Sequence, residues 1–216
     1  MQKQKVNSFN YLDVKMSDEV ENFKTVNPME LFNSWLKEAE NKELNDPNAI
    51  ALATVDSTGL PNVRMVLLKG ITDQSFIFYT NYKSVKAEEI TSSPKASFLI
   101  HWKSIRRQIR VRGFVEKEDG PIADQYFSSR SLDSRIGAWA SRQSQIVGSR
   151  RELLDSVNRL TVELGTNPPR PPFWGGFKIT PIEIEFWADG EARLHNRFRW
   201  SRSDTKSKWN VCRLQP

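Results

Sequence analysis

One cysteine in 216 residues, Cys212, leaves no partner for an internal disulfide and no thiolate cluster for a metal. The only two histidines, His101 and His195, stand 94 positions apart with no cysteine pair beside them, so a zinc site gains no support and no metal is expected. No apolar run approaches the roughly 18 residues that a membrane helix needs. The opening Met1-Gln2-Lys3-Gln4-Lys5 lacks the apolar core of a signal peptide, and a reducing cytoplasm is the simplest expectation. A glycine-rich phosphate loop, a dinucleotide fingerprint and a Gly-x-Ser-x-Gly elbow are all missing.

What is present is a globular composition: 38% apolar residues with 12 Phe and 7 Trp, enough for a sizeable core. The formal charge of +6 favours anionic partners, and both nucleic acid and a phosphorylated small molecule satisfy it. The placement of the charge is more informative than its sum. Arg64, Lys69, Lys86, Arg106, Arg107, Arg110 and Arg112 sit inside or at the ends of candidate strands rather than in loops. A half-buried cation needs a partner, and an anion held against the sheet would serve.

The stretch Asn62–Val115 carries the strongest pattern, with period-two runs at 62–70, 76–80, 96–102 and 107–115 that read as antiparallel strands. Ala49–Val55 precedes them, and Asp56-Ser57-Thr58-Gly59 closes a hairpin into the Arg64 strand. Alternation there puts Arg64, Val66 and Leu68 on one face and Val63, Met65, Leu67 and Lys69 on the other. Later strands are expected at 180–187 and 209–214, with Arg193, His195 and Arg197 sharing a face if their segment is extended. Helices are expected after Asn27-Pro28, over 83–90, after Gly120-Pro121, and from Ser149 to Gly165. Strands and helices do not alternate regularly, which disfavours a doubly wound sheet and suits a partly closed antiparallel barrel with peripheral helices. Residues 1–25 are polar and weakly patterned, an expected mobile arm before a single domain at 26–216.

Three groups invite a chemical reading. Lys86, at the start of the 83–90 helix, would meet a phosphate together with backbone donors. Gln108, in a central strand, offers a ligand both donor and acceptor; half-exposure is the plainer account. Tyr126 to Arg135 packs a phenol, hydroxyls and two guanidiniums into ten residues, which suits a phosphate dianion or else a solvated helix end.

Several longer strings then fall in one order: Arg64-Met65-Val66-Leu67-Leu68-Lys69, Phe78-Tyr79-Thr80-Asn81, Arg107-Gln108-Ile109-Arg110-Val111, Asp133 to Trp139, Phe173-Trp174-Gly175-Gly176, and Ile184-Glu185-Phe186-Trp187 through Arg193-Leu194-His195-Asn196-Arg197. In these the chain resembles the pyridoxamine (pyridoxine) 5'-phosphate oxidase family over roughly residues 28–216. The resemblance implies an FMN-binding split β-barrel, and a homodimer with flavin at the subunit interface. It implies oxidation of pyridoxamine or pyridoxine 5'-phosphate by O2 to pyridoxal 5'-phosphate and H2O2, with ammonia released from the amine. By the same resemblance the 64–69 strand, Tyr79, Thr80, Lys86, Gln108, Gln143, Ser144, Trp187 and Arg197 would contact FMN. Lys69, Tyr126, Arg130 and Ser134 would hold the substrate phosphate, and Arg193 and His195 would face the pyridine ring and carry the catalytic role.

Two positions depart from the family's usual pattern. Val85 precedes Lys86 where an arginine is usual, so one flavin-phosphate donor is expected to be missing. In the N-terminal arm, Tyr11-Leu12-Asp13-Val14 stands where an Arg and a Tyr are often found.

Overall fold

The structure is a computed structural model that describes residues 23–216. Most of the expected arm, including Tyr11–Val14, lies outside the described residues. Phe23 does not behave as part of an arm: it is fully buried, 4.3 Å from the ring of Phe198 and edge-on to Trp200.

The first helix, α1 (Pro28–Glu40), starts as its sequence dictates, with Asn27 Oδ1 accepting from the Met29 N–H at 2.9 Å and Pro28 in the first turn, where its missing N–H costs nothing. Its apolar face enters the core, where Phe32 meets Phe76, Phe98 and Trp102, and Trp35 meets Phe186 edge-on. Each such fully buried ring contributes about 2–3 kcal/mol of transfer free energy.

Eight antiparallel strands follow, interrupted by helices: β1 (Ala49–Val55), β2 (Pro61–Ile71), β3 (Phe76–Asn81), β4 (Lys95–Trp102), β5 (Arg107–Glu118), β6 (Trp174–Ala188), β7 (Asn196–Ser201) and β8 (Asn210–Leu214). Their order in the sheet is β3-β2-β1-β4-β5-β6-β7-β8, and β3 also pairs with β6. That extra pairing closes six strands, β1 to β6, into a barrel and leaves β7 and β8 as an extension.

Of the five α-helices among the described residues, four match expectation: α1, α2 (Val85–Ser92), α3 (Pro121–Ser129) and α5 (Arg150–Leu164). The fifth, α4 (Leu132–Ala140), was not anticipated. Its glycine and small residues hide it, but Ser131 caps it by accepting from the Ser134 N–H. It packs on α5 through Ile136, Ala140 and Leu160, a small cluster separate from the barrel core.

One expected strand segment is corrected. Residues 191–193 form a short 3-10 turn, with Ala192 at φ 51° and Arg193 at φ 65°, so extended backbone begins only at Asn196. Arg193 therefore does not alternate with His195 and Arg197 along a strand.

The β5–β6 ladder slips by one position between Arg112 and Gly113, where Gly113 faces Pro181. Proline cannot donate to a ladder, so an irregularity is the place for it. A Cβ on Gly113 would lie 2.3 Å from the Thr180 carbonyl oxygen, which is backbone and cannot swing away. Gly113→Ala should therefore destabilise the protein by about 2–3 kcal/mol or more, and lower its thermal midpoint by about 4–12 °C. A melting curve unchanged by this substitution would contradict the close approach.

Candidate functional site

A cavity of about 920 Å³ opens beside the barrel, lined by β2, β3, the start of α2, α3, α4, the 141–144 segment and Trp174. It gathers Arg64, Met65, Val66, Leu67, Lys69, Tyr79, Thr80, Lys86, Tyr126, Arg130, Ser134, Gln143 and Ser144 from separate stretches of the chain. Two of its regions are cationic, and they differ in construction.

The first is built on Lys86. Its side chain is only 7% exposed, and its Nζ donates to Thr80 Oγ1, Ser84 Oγ and Gln143 Oε1, each at 3.2 Å. All three acceptors are neutral. Burial and the nearby Arg64 charge pull the ammonium down to about 8, against the opposing pull of Glu89. Arg64 approaches from β2, where its inward-facing register opposite Leu52 brings it to the buried Thr54 and Glu89. Glu89 of α2 accepts from Arg64 Nη2 and Asn62 Nδ2, both at 2.9 Å, and from the Thr54 hydroxyl. Burial raises the Glu89 carboxyl, but these hydrogen bonds and the Arg64 charge outweigh it and hold it below the ordinary carboxylate range. Arg64, Lys86 and Glu89 thus leave a net positive charge at the N-terminal end of α2, where the helix dipole also favours an anion. Val85 lines the same wall and is 41% exposed, so its apolar side chain adds no donor there.

The second cationic region is built on α3 and α4. The Tyr126 ring stacks on Tyr79, with centroids 4.1 Å apart and planes 19° apart, and Trp174 lies nearly parallel to Tyr79 at 5.4 Å. The Arg130 guanidinium sits 4.8 Å over the Trp174 ring. Its Nη1 is buried and has no hydrogen-bond partner among the described residues. A buried guanidinium nitrogen left unpaired is costly, and an anion entering the cavity would relieve it. Burial lowers the Arg130 pKa and raises that of Tyr126, each partly offset by the other. Ser134 Oγ accepts from Ser131 Oγ at 2.8 Å, which leaves its own proton free to donate. Lys69 is exposed at the mouth, beside the ladder irregularity between Leu68 and Gly70.

Not every expected residue joins this cavity. Leu68 is 3% exposed and its side chain packs in the barrel core. Gln108, Trp187 and Arg197 are register partners across β5, β6 and β7, side by side on the outer face of the sheet. The His195 ring lies 4.6 Å from Trp187, with Nδ1 accepting from the Gly190 N–H and 3.3 Å from an Asp189 oxygen. Arg193 is exposed on the left-handed turn beside it. Arg197 is pinned by Glu185, which is 2% exposed: Nε donates to Oε1 at 2.8 Å and Nη2 lies at an ion-pair distance of 2.8 Å from the same oxygen, while Arg110 donates to Oε2 at 2.9 Å. This second constellation is ordered but separate within one chain. Consecutive left-handed backbone at Ala192 and Arg193, without glycine, costs of order 1–3 kcal/mol per residue and marks functional segments more often than ordinary turns.

Sequence reasoning missed Trp174, Asn81, Ser141 and Glu89 as parts of the site. Asn81 donates to the Ser141 carbonyl at 3.2 Å and so ties the 141–144 segment to β3. Trp174 had a signal, an aromatic next to two glycines after a proline-rich segment. Glu89 had none, because a glutamate on a short helix reads as solvated.

Among the described residues, no helix is long and apolar enough to cross a membrane. Comparison with known proteins gives a consistent set of relatives. Residues 36–162 match the family model described as pyridoxamine 5'-phosphate oxidase, and residues 174–216 match that of the pyridoxine 5'-phosphate oxidase C-terminal dimerisation region. A pyridoxine/pyridoxamine 5'-phosphate oxidase of Roseobacter denitrificans is 59% identical over 201 residues, 93% of this chain and 100% of its own length. One from Cereibacter sphaeroides is 63% identical over 189 residues, 88% of this chain and 94% of its own. Among solved structures, PhzG from Burkholderia lata, in complex with tetrahydrophenazine-1-carboxylic acid, superposes with a TM-score of 0.84 at 32% identity, covering 92% of this chain and 97% of that one. A pyridoxamine 5'-phosphate oxidase-related, FMN-binding protein of Nostoc punctiforme shares the fold, with a TM-score of 0.71 at 19% identity over 89% of this chain and 100% of that one. The closed six-stranded barrel with its peripheral helices, the two cationic regions of its cavity, and full-length identities near 60% agree: this chain belongs to the pyridoxamine 5'-phosphate oxidase family.

Proposed function

We propose that this protein is an FMN-dependent oxidase of phosphorylated B6 vitamers. It converts pyridoxamine 5'-phosphate, with O2 and water, to pyridoxal 5'-phosphate, ammonia and H2O2; pyridoxine 5'-phosphate gives the same aldehyde and H2O2. The observation that carries this reading is one cavity with two cationic regions joined by an aromatic wall, a fit for two phosphorylated aromatic molecules. A single phosphate would not require both. Identities near 60% to B6 oxidases, against 32% to PhzG, favour the B6 vitamers over a phenazine-type substrate.

In this reading Arg64 and Lys86, with Thr80, Gln143 and Ser144, hold the FMN phosphate. Tyr126, Arg130, Ser134 and Lys69 hold the substrate phosphate, which would pair the orphaned Arg130 Nη1. Bound FMN supplies the two-electron acceptor that the side chains lack. The protein's part is alignment: fixing the phosphate spends binding energy on orienting the reacting carbon.

Gln108, Trp187, Arg193, His195 and Arg197 then complete the cavity of a second copy. The dimerisation match over 174–216 supports this, since it includes four of the five. So does the surface next to the cavity, where Val63 and Met65 are each 63% exposed and Leu67 is 37% exposed. Arg193 and His195, on their strained turn, would face the substrate ring and stabilise charge that develops there. Val85 leaves Lys86 and Arg64 as the FMN phosphate's cations.

Three experiments test the reading. Protein reconstituted with FMN and given pyridoxamine 5'-phosphate under air should form aldehyde and peroxide in equal amounts; flavin bound without product would sink the assignment. Arg193→Ala should lower kcat about a hundredfold with flavin still bound; parallel loss of flavin would reject the substrate-side role. Lys86→Ala should weaken FMN binding about ten- to a hundredfold. In the wild type the ammonium is protonated below pH 8 and loses its proton above it, so the FMN dissociation constant should rise as pH passes through about 8. The Lys86→Ala protein should lack that inflection in a fluorescence titration.

A further inference from the structure

Arg130 is the guanidinium assigned to the substrate phosphate, yet its own helix offers it the Phe127 ring at 5.6 Å, a longer contact than the 4.8 Å to Trp174 of β6. It follows the last residue of α3, and only Ala123 and Phe127 of that helix are buried. A shallowly docked nine-residue helix is a poor mount for a group that must be placed within a fraction of an ångström.

The mount lies elsewhere. Arg170, in the proline-rich segment before β6, is 15% exposed and makes a three-way clasp. Its Nε donates to Asp124 Oδ1 at 2.6 Å, in the first turn of α3. Its Nη1 donates to Asp119 Oδ1 at 2.6 Å and to the Trp174 carbonyl at 2.7 Å. Its Nη2 reaches the Asp119 carbonyl at 3.3 Å. Four of the five N–H groups of Arg170 are thereby used, and two carboxylates neutralise it, so it is not itself an anion ligand. What it joins is the start of α3 to the first residue of β6, and that residue is the one whose ring carries Arg130. Phe127 adds a second ring, 5.6 Å from the same guanidinium. Stacking fixes the plane of the fork, and among the described residues no acceptor takes up its buried Nη1.

We propose that Arg170 and Trp174 are positioning residues that present Arg130 to the phosphate group of the substrate. The proposal rests on the reading of Arg130 as a phosphate ligand, and the test separates the two. Specificity for the phosphate is read as the ratio of kcat/KM for pyridoxamine 5'-phosphate to that for pyridoxamine. It is read again, at equilibrium, as the ratio of affinities for pyridoxal 5'-phosphate and pyridoxal. Arg130→Ala should collapse both ratios. Arg170→Gln and Trp174→Leu should each lower them about tenfold, the loss expected of one misaligned charge-assisted hydrogen bond. Arg170→Lys should recover only part, since one ammonium cannot span acceptors on two elements. Because the clasp acts through Arg130, adding Arg170→Gln to Arg130→Ala should lower the ratios no further. Equal losses on phosphorylated and unphosphorylated compounds, or additive losses in the double variant, would overturn the positioning role while leaving Arg130 as ligand. Ratios unmoved by Arg130→Ala would overturn the phosphate reading itself. FMN affinity and the thermal midpoint of each variant report whether the barrel is intact, and Trp174→Phe, which keeps a ring, gives a gentler probe should Arg170→Gln not fold.

Discussion

The pairing of β6 along both edges is the constraint on which the rest depends. β6 runs for fifteen residues with β5 along one edge, while its other edge is shared between β3 in the first half and β7 in the second. The first half closes the barrel and sets Trp174 opposite Asn81, one residue from Thr80. The second half leaves the barrel and carries Glu185 and Trp187 to the outer face. One strand thus places the aromatic wall of the cavity and the Trp187–His195 constellation in a fixed relation. The crowding at Gly175 and Gly176 follows from it, since a Cβ on Gly175 would lie 2.1 Å from the Tyr82 hydroxyl.

Charge is managed differently in the two constellations. On the outer sheet, Glu185 neutralises Arg110 and Arg197 together, and Arg112 has Glu183 at 3.6 Å. Those arginines are held in place without an external anion. In the cavity the compensation is incomplete. Among the described residues, Lys86 has only neutral partners, Glu89 is engaged by Arg64, and Arg130 keeps a buried donor unpaired. Leaving buried cations under-compensated costs stability that better pairing would recover, and such a cost is found where a ligand supplies the missing partner.

The proline-rich stretch 167–172 has a role in the same logic. Its stiffness delivers Arg170 to the junction of α3 and β6, and Trp139 Nε1 donates to the Pro169 carbonyl at 2.7 Å from α4. Three peripheral pieces, α3, α4 and the start of β6, are therefore tied to one short rigid segment. The second cationic region is built from these three, although none of them is deeply buried in the barrel core.

The sequence by itself determined most of the strands, though not the Trp174–Ile179 half of β6 or the extent of β7, together with the hairpin at Asp56–Gly59, the caps at Asn27 and Ser149, and the two faces of β2, because each of these depends on neighbours a few positions away. It also marked Lys86 and the Tyr126–Ser134 cluster, since cations and hydroxyls are conspicuous in apolar surroundings. It did not reveal α4, whose glycine and serines mask a helix that packing on α5 stabilises. Nor did it reveal the turn at 191–193, where left-handed backbone without glycine is imposed by surrounding structure rather than by local preference. Only the tertiary structure decided that Leu68 belongs to the core, that Glu89 supports Arg64, and that Trp174 bears Arg130. Those are relations between strands and helices distant in sequence, set by barrel closure and by the desolvation of charge, and no local pattern of residues encodes either.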